Sequence, residues 1–300
     1  MTSPVRGVAT RALTDAARGA ENASAMRRPA LLWLAIALLG LSVLAVVRGG
    51  GRTRWSPLGD GIEFTTLRGD PWCRRGSSEI AALRLDPARV RLRVLHYTRQ
   101  PDRTPLSIVE WQRRTGALAV FNAGQYYPDL SYMGLLVSDG EPVSARLHPQ
   151  FKAALVASPD AGGRAAHVLD LNRQPLDPAS PGWREVAQSF MLFDGQGAPR
   201  IRKTDLVANR TVVGEDRHGR LVVITSEGGY TLWDFARLLQ RAPLGLTHAM
   251  SMDGGYEAEL CVSAGGFHYA SFGRWKGAGD MPEAPGARVP LPAVVAVLAE

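Results

Sequence analysis

A chain of 300 residues with 45% apolar composition has room for one large domain or two small ones, and its formal charge is +7. That charge sits almost wholly in residues 1–54, which hold eight Arg against Asp15 and Glu21, while the remainder carries 27 basic and 26 acidic groups. The body has no basic stripe with interleaved aromatics, so the composition points away from a nucleic acid partner.

In chain order, residues 1–28 read as a cytoplasmic tail rich in Ala, Arg and Ser. Residues 29–47 follow as a transmembrane anchor, with an uninterrupted uncharged run at 30–47, "ALLWLAIALLGLSVLAVV". As a helix this run would be about 27 Å long, close to the ~30 Å of a bilayer's hydrocarbon layer. Arg27 and Arg28 precede it and Arg48 follows, which favours an inside N-terminus and an extracytoplasmic C-terminal domain, periplasmic or extracellular. A cleaved signal peptide ending near Val43-Leu44-Ala45 is the alternative, although the run exceeds the usual signal core. Residues 48–60 read as a Gly/Pro linker, and a single domain is expected over 61–300.

The domain opens with strand signals. In 88–97, Val90, Leu92 and Val94 alternate with Arg89, Arg91 and Arg93, the period of a half-buried strand. Thr104, Pro105 and Gly116 frame a helix over 104–116 as N-cap, first-turn proline and C-terminal glycine. A short buried strand at 117–121 runs into "NAGQYY", and 133–143 reads as a hairpin turned at Asp139-Gly140. Strands are expected at 153–157, 165–171 and 185–193, a hairpin at 211–225, and a capped amphipathic helix at 231–241. A strand at 248–252 delivers Asp253, whose Asp-Gly-Gly reads on its own as a hairpin turn, and a last strand spans 293–298. Strands outnumber helices, which predicts an α+β fold around a mixed, largely antiparallel sheet with a few packed helices.

Cys73 and Cys261 lie beyond the anchor, so an oxidising compartment would permit a disulfide between them; two unpaired buried thiols are the alternative. No Cys/His cluster has metal-ligand spacing, and no cofactor is expected.

Polar residues recur beside glycine at strand ends in "FNAGQYY" (121–127), "AQSF" (187–190), "ANRTVVG" (208–214), "TSEGGYT" (225–231) and "SMDGGYE" (251–257). Each has a plain structural reading. Asn122 suits an Asx turn, and Gln188 and Ser189 suit ordinary strand positions. Arg210 could pair at the surface with Asp205 or Glu215, and Glu227 could favour the following helix through its dipole.

Together and in this order the motifs in 117–264 resemble the phosphodiester glycosidase family. The resemblance implies hydrolysis of a sugar-1-phosphodiester in a glycan or glycoconjugate. It also implies one pocket lined by Asn122, Gly124, Gln188, Ser189, Arg210, Asp253, Gly254 and Gly255, with Glu227 as a second acid. Asp253, Glu227 and Arg210 would be the catalytic groups. The chain departs from the family's pattern at Tyr256-Glu257, where a Ser or Thr is usual, and at Gln125, where an apolar residue is common. Two other readings stay open: a catalytically degenerate glycan-binding module, and a metal-dependent hydrolase using Asp253, Glu227 and Asn122 as oxygen ligands.

Overall fold

The computed structural model describes residues 53–277, 279–280 and 288–300. The expected tail and anchor lie outside the described residues, among which no helix is long and apolar enough to cross a membrane. The domain's first strand lies earlier in the chain than expected. Part of the supposed linker is strand β1 (Ser56–Gly59), which pairs with β2 (Ile62–Arg68).

β2 continues into β3 (Glu79–Leu85) and β4 (Arg91–His96). In β4 the alternation holds: Leu92, Val94 and His96 are buried while Arg91 is exposed. Helix α1 (Ile108–Thr115) begins later than its proline suggested. Ser107, not Thr104, is the N-cap: its hydroxyl accepts from Glu110 N at 3.3 Å and the Glu110 carboxylate accepts from Ser107 N at 3.0 Å. Gly116 ends it at φ 65°, a left-handed backbone that glycine adopts without steric cost.

Next come β5 (Ala119–Asn122), β6 (Leu136–Ser138) and β7 (Glu141–Ser144), with β6 and β7 joined at Asp139-Gly140 as the sequence indicated. β8 (Ala153–Pro159), β9 (Ala166–Asp170) and β10 (Trp183–Phe193) follow, then the two-residue β11 (Val207–Ala208). β12 (Arg210–Asp216) and β13 (Leu221–Ser226) form the expected hairpin, and β14 (Tyr230–Thr231) leads into helix α2 (Leu232–Arg241). Thr231 caps α2 by accepting from Asp234 N at 3.0 Å. β15 (Leu246–Gly254), β16 (Leu260–Ala264), β17 (Phe267–Ser271), β18 (Trp275–Lys276), β19 (Gly279–Asp280) and β20 (Ala293–Leu298) complete the chain.

The large sheet runs β1-β2-β3-β13-β12-β15-β10-β6-β7, with β8 also on β10 and β9 beyond it. A second sheet runs β17-β16-β5-β20-β4, and a small one β14-β11-β18-β19. Every strand pairing among the described residues is antiparallel, so the expected mixed sheet is corrected. The helices lie on the sheet faces rather than linking parallel strands.

Strand parity shows the layering, because successive side chains point to opposite faces. Leu83, Val213, Val223 and Met250 of the large sheet share a core with Phe121, Val262 and Val295 of the second. Their neighbours in sequence, Ala82, Val212, Val222 and Ala249, turn the other way and pack on Phe235, Leu238 and Leu239 of α2. Val120, Cys261 and Val294 face away from the shared core and pack on Ile108 and Trp111 of α1. The large and second sheets are therefore stacked, with a helix on each outer face. This is why β13 is buried at all six residues and opens with the apolar run Leu221–Ile224.

The layering also corrects the expected disulfide. Both cysteines are free. Cys73 packs with the α2 cluster on one outer face, and Cys261 with the α1 cluster on the other, 2.9 Å from Gln112 Oε1. The sandwich lies between them.

Candidate active site

Asp253 does not sit in a hairpin turn. β15 belongs to the large sheet and β16 to the second, and the chain crosses between them through one 3-10 turn at Gly255–Glu257. Gly255 makes the crossing at φ +81°, where a Cβ would also stand 2.9 Å from Lys276 Cδ. Asp253 is thus held where an inner strand of the large sheet ends and the chain passes to an inner strand of the second. Its N–H donates to Ala123 O at 3.1 Å, and its own carbonyl accepts from Asn122 Nδ2 at 3.0 Å.

Across the ladder from Gly254 stands Arg210, the first residue of β12, where a bulge shifts the register. Far from being a surface cation, Arg210 is buried at 7% exposure. Its Nε donates to Tyr230 O at 3.0 Å and Nη2 to Leu206 O at 2.7 Å. Nη1 is turned toward Gly254, where a Cβ would approach it to 3.4 Å. Burial lowers the guanidinium to about 10, a shift the nearby Asp253 charge opposes. At neutral pH it remains a cation fixed by two carbonyls.

Arg210, Asp253, Gly254 and Gly255 line one cavity of about 500 Å³, together with Lys276 and Gln125. Burial, and then the charge of Glu257, push the Asp253 carboxyl up to about 7; Gly254 N–H, Lys276 and Arg210 act in the opposite sense. Glu257 ion-pairs with Lys276 Nζ at 3.2 Å and accepts from the Tyr126 hydroxyl at 3.2 Å. A half-buried Asp253 beside the buried Glu257, with two cations next to them, is an arrangement suited to acid/base work on an anionic substrate.

Other candidates from the sequence support this cavity without lining it. Asn122 is a staple: Nδ2 holds Asp253 O and Oδ1 accepts from Glu259 N at 3.1 Å. Gly124 makes room for Tyr132, whose hydroxyl would lie 2.4 Å from a Cβ there. Gln188 is saturated, accepting from Leu135 N and His148 N at 2.9 Å and donating to His148 O at 3.2 Å and Phe151 O at 2.8 Å. The Ser189 hydroxyl donates to Ser251 O at 2.6 Å.

Glu227 lies apart from this cavity. Its carboxylate accepts from the Tyr269 hydroxyl of β17, and it is not among the cavity's lining residues. Asn209 holds the Glu227 carbonyl at 3.2 Å while its side-chain oxygen accepts from Arg274 N and Trp275 N at 2.8 Å. Glu257 does not line the cavity either, but it is the acid whose charge acts on Asp253. Its signal in the sequence was its position four residues after Asp253, read only as a departure. Lys276 gave no signal, since it reaches the site from the distant strand β18. Among the described residues no group of three or more His, Cys, Asp or Glu is arranged to hold a metal ion.

A profile of the phosphodiester glycosidase family matches residues 115–297, more than half of the chain. No curated protein matches. Among solved structures, a hypothetical protein from Synechocystis superposes with a TM-score of 0.58 at 13% identity, over 83% of this chain and 64% of that one, so this chain spans less than two thirds of that protein. The catalytic domain of zebrafish N-acetylglucosamine-1-phosphodiester α-N-acetylglucosaminidase, auto-inhibited by its pro-peptide, superposes with a TM-score of 0.56 at 17% identity, over 83% of this chain and 88% of that one. At such identities the likeness is one of fold.

Proposed function

The chain belongs to the phosphodiester glycosidase family, and on that premise we propose that it hydrolyses the sugar–phosphate glycosidic bond of a sugar-1-phosphodiester at the cavity lined by Asp253 and Arg210. The observation that carries the reading is the pairing of these two residues on adjacent strand ends. A carboxylate near neutrality and a guanidinium fixed by carbonyls face one space.

The bond to break joins the anomeric carbon to the phosphate oxygen. Its cleavage builds positive charge on the sugar ring and negative charge on the departing phosphomonoester. Ionised Asp253 meets the first need, either by attacking the anomeric carbon or by taking the proton of an attacking water. Arg210 meets the second by binding phosphate oxygens with the N–H groups that face the cavity, and Lys276 adds charge beside it. A phosphomonoester leaves as a stable anion, so the departing oxygen needs little protonation. One water is consumed, its hydroxyl ending on the sugar and its proton on the phosphate side.

The zebrafish protein that shares the fold makes α-linked N-acetylglucosamine the first sugar to test. We also propose that residues 30–47 hold the domain at a membrane, on the extracytoplasmic side.

Asp253→Asn keeps the shape and the acceptor for Gly254 N–H but removes the charge. Turnover of a nitrophenyl sugar-1-phosphodiester should fall by about a hundredfold or more, the range for acid/base and electrostatic groups, with the melting temperature little changed. A near-normal rate in that variant would remove Asp253 from the mechanism.

A further inference from the structure

Much of the cavity is more apolar than cleavage of a sugar–phosphate bond requires. Its charged lining residues are Asp253, Arg210 and Lys276, with Arg200 and Arg202 on the loop that carries Ile201. The wall beyond Arg210 is built from Ile201, Leu206, Ala208 and Leu232, with Phe190 lining the cavity from the large sheet. This wall is tied to the guanidinium by the backbone. Nη2 of Arg210 holds the carbonyl of Leu206, and Nε holds that of Tyr230, two residues before Leu232. Whatever group follows a phosphate held by Arg210 therefore meets aliphatic side chains. Leu206 is 53% exposed, more than any other large apolar side chain among the described residues. With Ile201, Ala208, Leu232 and Phe190 in the same lining, Leu206 belongs to a shared apolar surface rather than standing alone, the kind of lining that receives apolar ligand groups.

We propose that the alcohol esterified to the phosphate, the aglycone, is an alkyl or other apolar chain rather than a second sugar or a polyol. The inference rests on the hydrolase reading above and deepens it. The charges at the rim do not point the other way. Arg200 is engaged by Asp194 at 3.2 Å, and Lys276 by Glu257. Arg202 and Thr204 also line the cavity, and both are exposed on the loop that carries Leu206, where their polar groups reach water. A polyhydroxylated aglycone placed against Leu206, Ala208 and Leu232 would lose hydrogen bonds to water without replacing them, whereas a methylene chain would gain by leaving water.

The test compares α-N-acetylglucosamine 1-phosphate esterified to methanol, propanol, hexanol, glycerol or a second sugar, using the full chain. Each methylene fully removed from water is worth about fourfold, so partial burial should raise kcat/KM by on the order of thirtyfold from the methyl to the hexyl ester. Leu206→Ser, at an exposed position, should flatten that rise. Turnover that is flat with chain length, or fastest for the glycerol or sugar ester, overturns the aglycone assignment and leaves the hydrolase standing. Calorimetric binding of methyl, propyl and hexyl phosphate separates the two ideas when no ester is cleaved. Affinity that climbs with chain length then supports the apolar subsite while the hydrolase reading falls, and affinity that does not climb rejects the subsite as well.

Discussion

Asp253 and Glu257 lie four residues apart on opposite sides of a sheet-to-sheet crossing, and their proximity has a consequence for pH. Burial and the Glu257 charge both disfavour the Asp253 anion, so its carboxyl titrates at about 7 rather than in the usual carboxylate range. If Asp253 acts ionised, kcat/KM rises with pH through about 7. Replacing Glu257 by Gln removes a like charge, and it also releases Lys276, which already favours the anion. Both changes lower the Asp253 pKa, so the acid limb of the pH–rate profile should move to lower pH in Glu257→Gln. A limb that stays at the same pH, or moves up, would show that some other group sets it. The sequence told less about this pair than about the strands. It marked Asp253 as an acid before two glycines at a strand end, and Arg210 through the family's motif. It could not distinguish Glu227 from Glu257, because that choice depends on which sheet each acid's neighbours join. Glu227 leaves β13 toward Tyr269, whereas Glu257 turns back over Lys276.

At the scale of elements, what could be read in advance was whatever local backbone chemistry decides. Asp139-Gly140 takes positive φ at both residues, 55° and 80°, so the hairpin of β6 and β7 needed no tertiary information. α2 carries its cap and its apolar stripe within eleven residues, 231–241. Where two local signals competed, the sequence misled. Thr104-Pro105 looks like a helix start, but Ser107 with Glu110 forms a reciprocal pair and wins. Asp-Gly-Gly looks like a hairpin, yet the strands on either side find partners in different sheets. The β12–β13 hairpin could be read locally, but the pairing of β13 with β3 could not, because nothing local encodes which distant strand is adjacent. The capping box offers a clean test at this scale. Ser107→Ala removes the acceptor for Glu110 N and should cost about 1 kcal/mol of stability by urea unfolding. Activity should be unchanged, since α1 packs on the outer face of the second sheet, against Val120 and Val294. An unaltered unfolding midpoint would mean the box contributes nothing to the folded domain.

At the scale of the whole molecule, the charge distribution and the proposed substrate lead to one expectation. The cationic excess is confined to residues 1–54 and brackets the apolar run at 30–47, while the remainder is close to neutral. Arginines beside an apolar segment are retained on the cytoplasmic side more often than they are translocated, so the domain after the run should face outward. On the proposal that residues 30–47 hold the domain at a membrane, the enzyme would work beside a bilayer surface. A sugar-1-phosphodiester with an apolar aglycone would itself partition to that surface, which would place enzyme and substrate in the same thin layer. Alkaline phosphatase fused after Glu300 should then be active in the membrane fraction, and a reporter that fluoresces only in the cytoplasm should be dark there. Cleavage after Ala45 would release the active fusion from the membrane, leaving the outward orientation intact but ending the tether. An inactive phosphatase with a bright cytoplasmic reporter would reverse the orientation and leave the arginines at 48, 52 and 54 as the retained set.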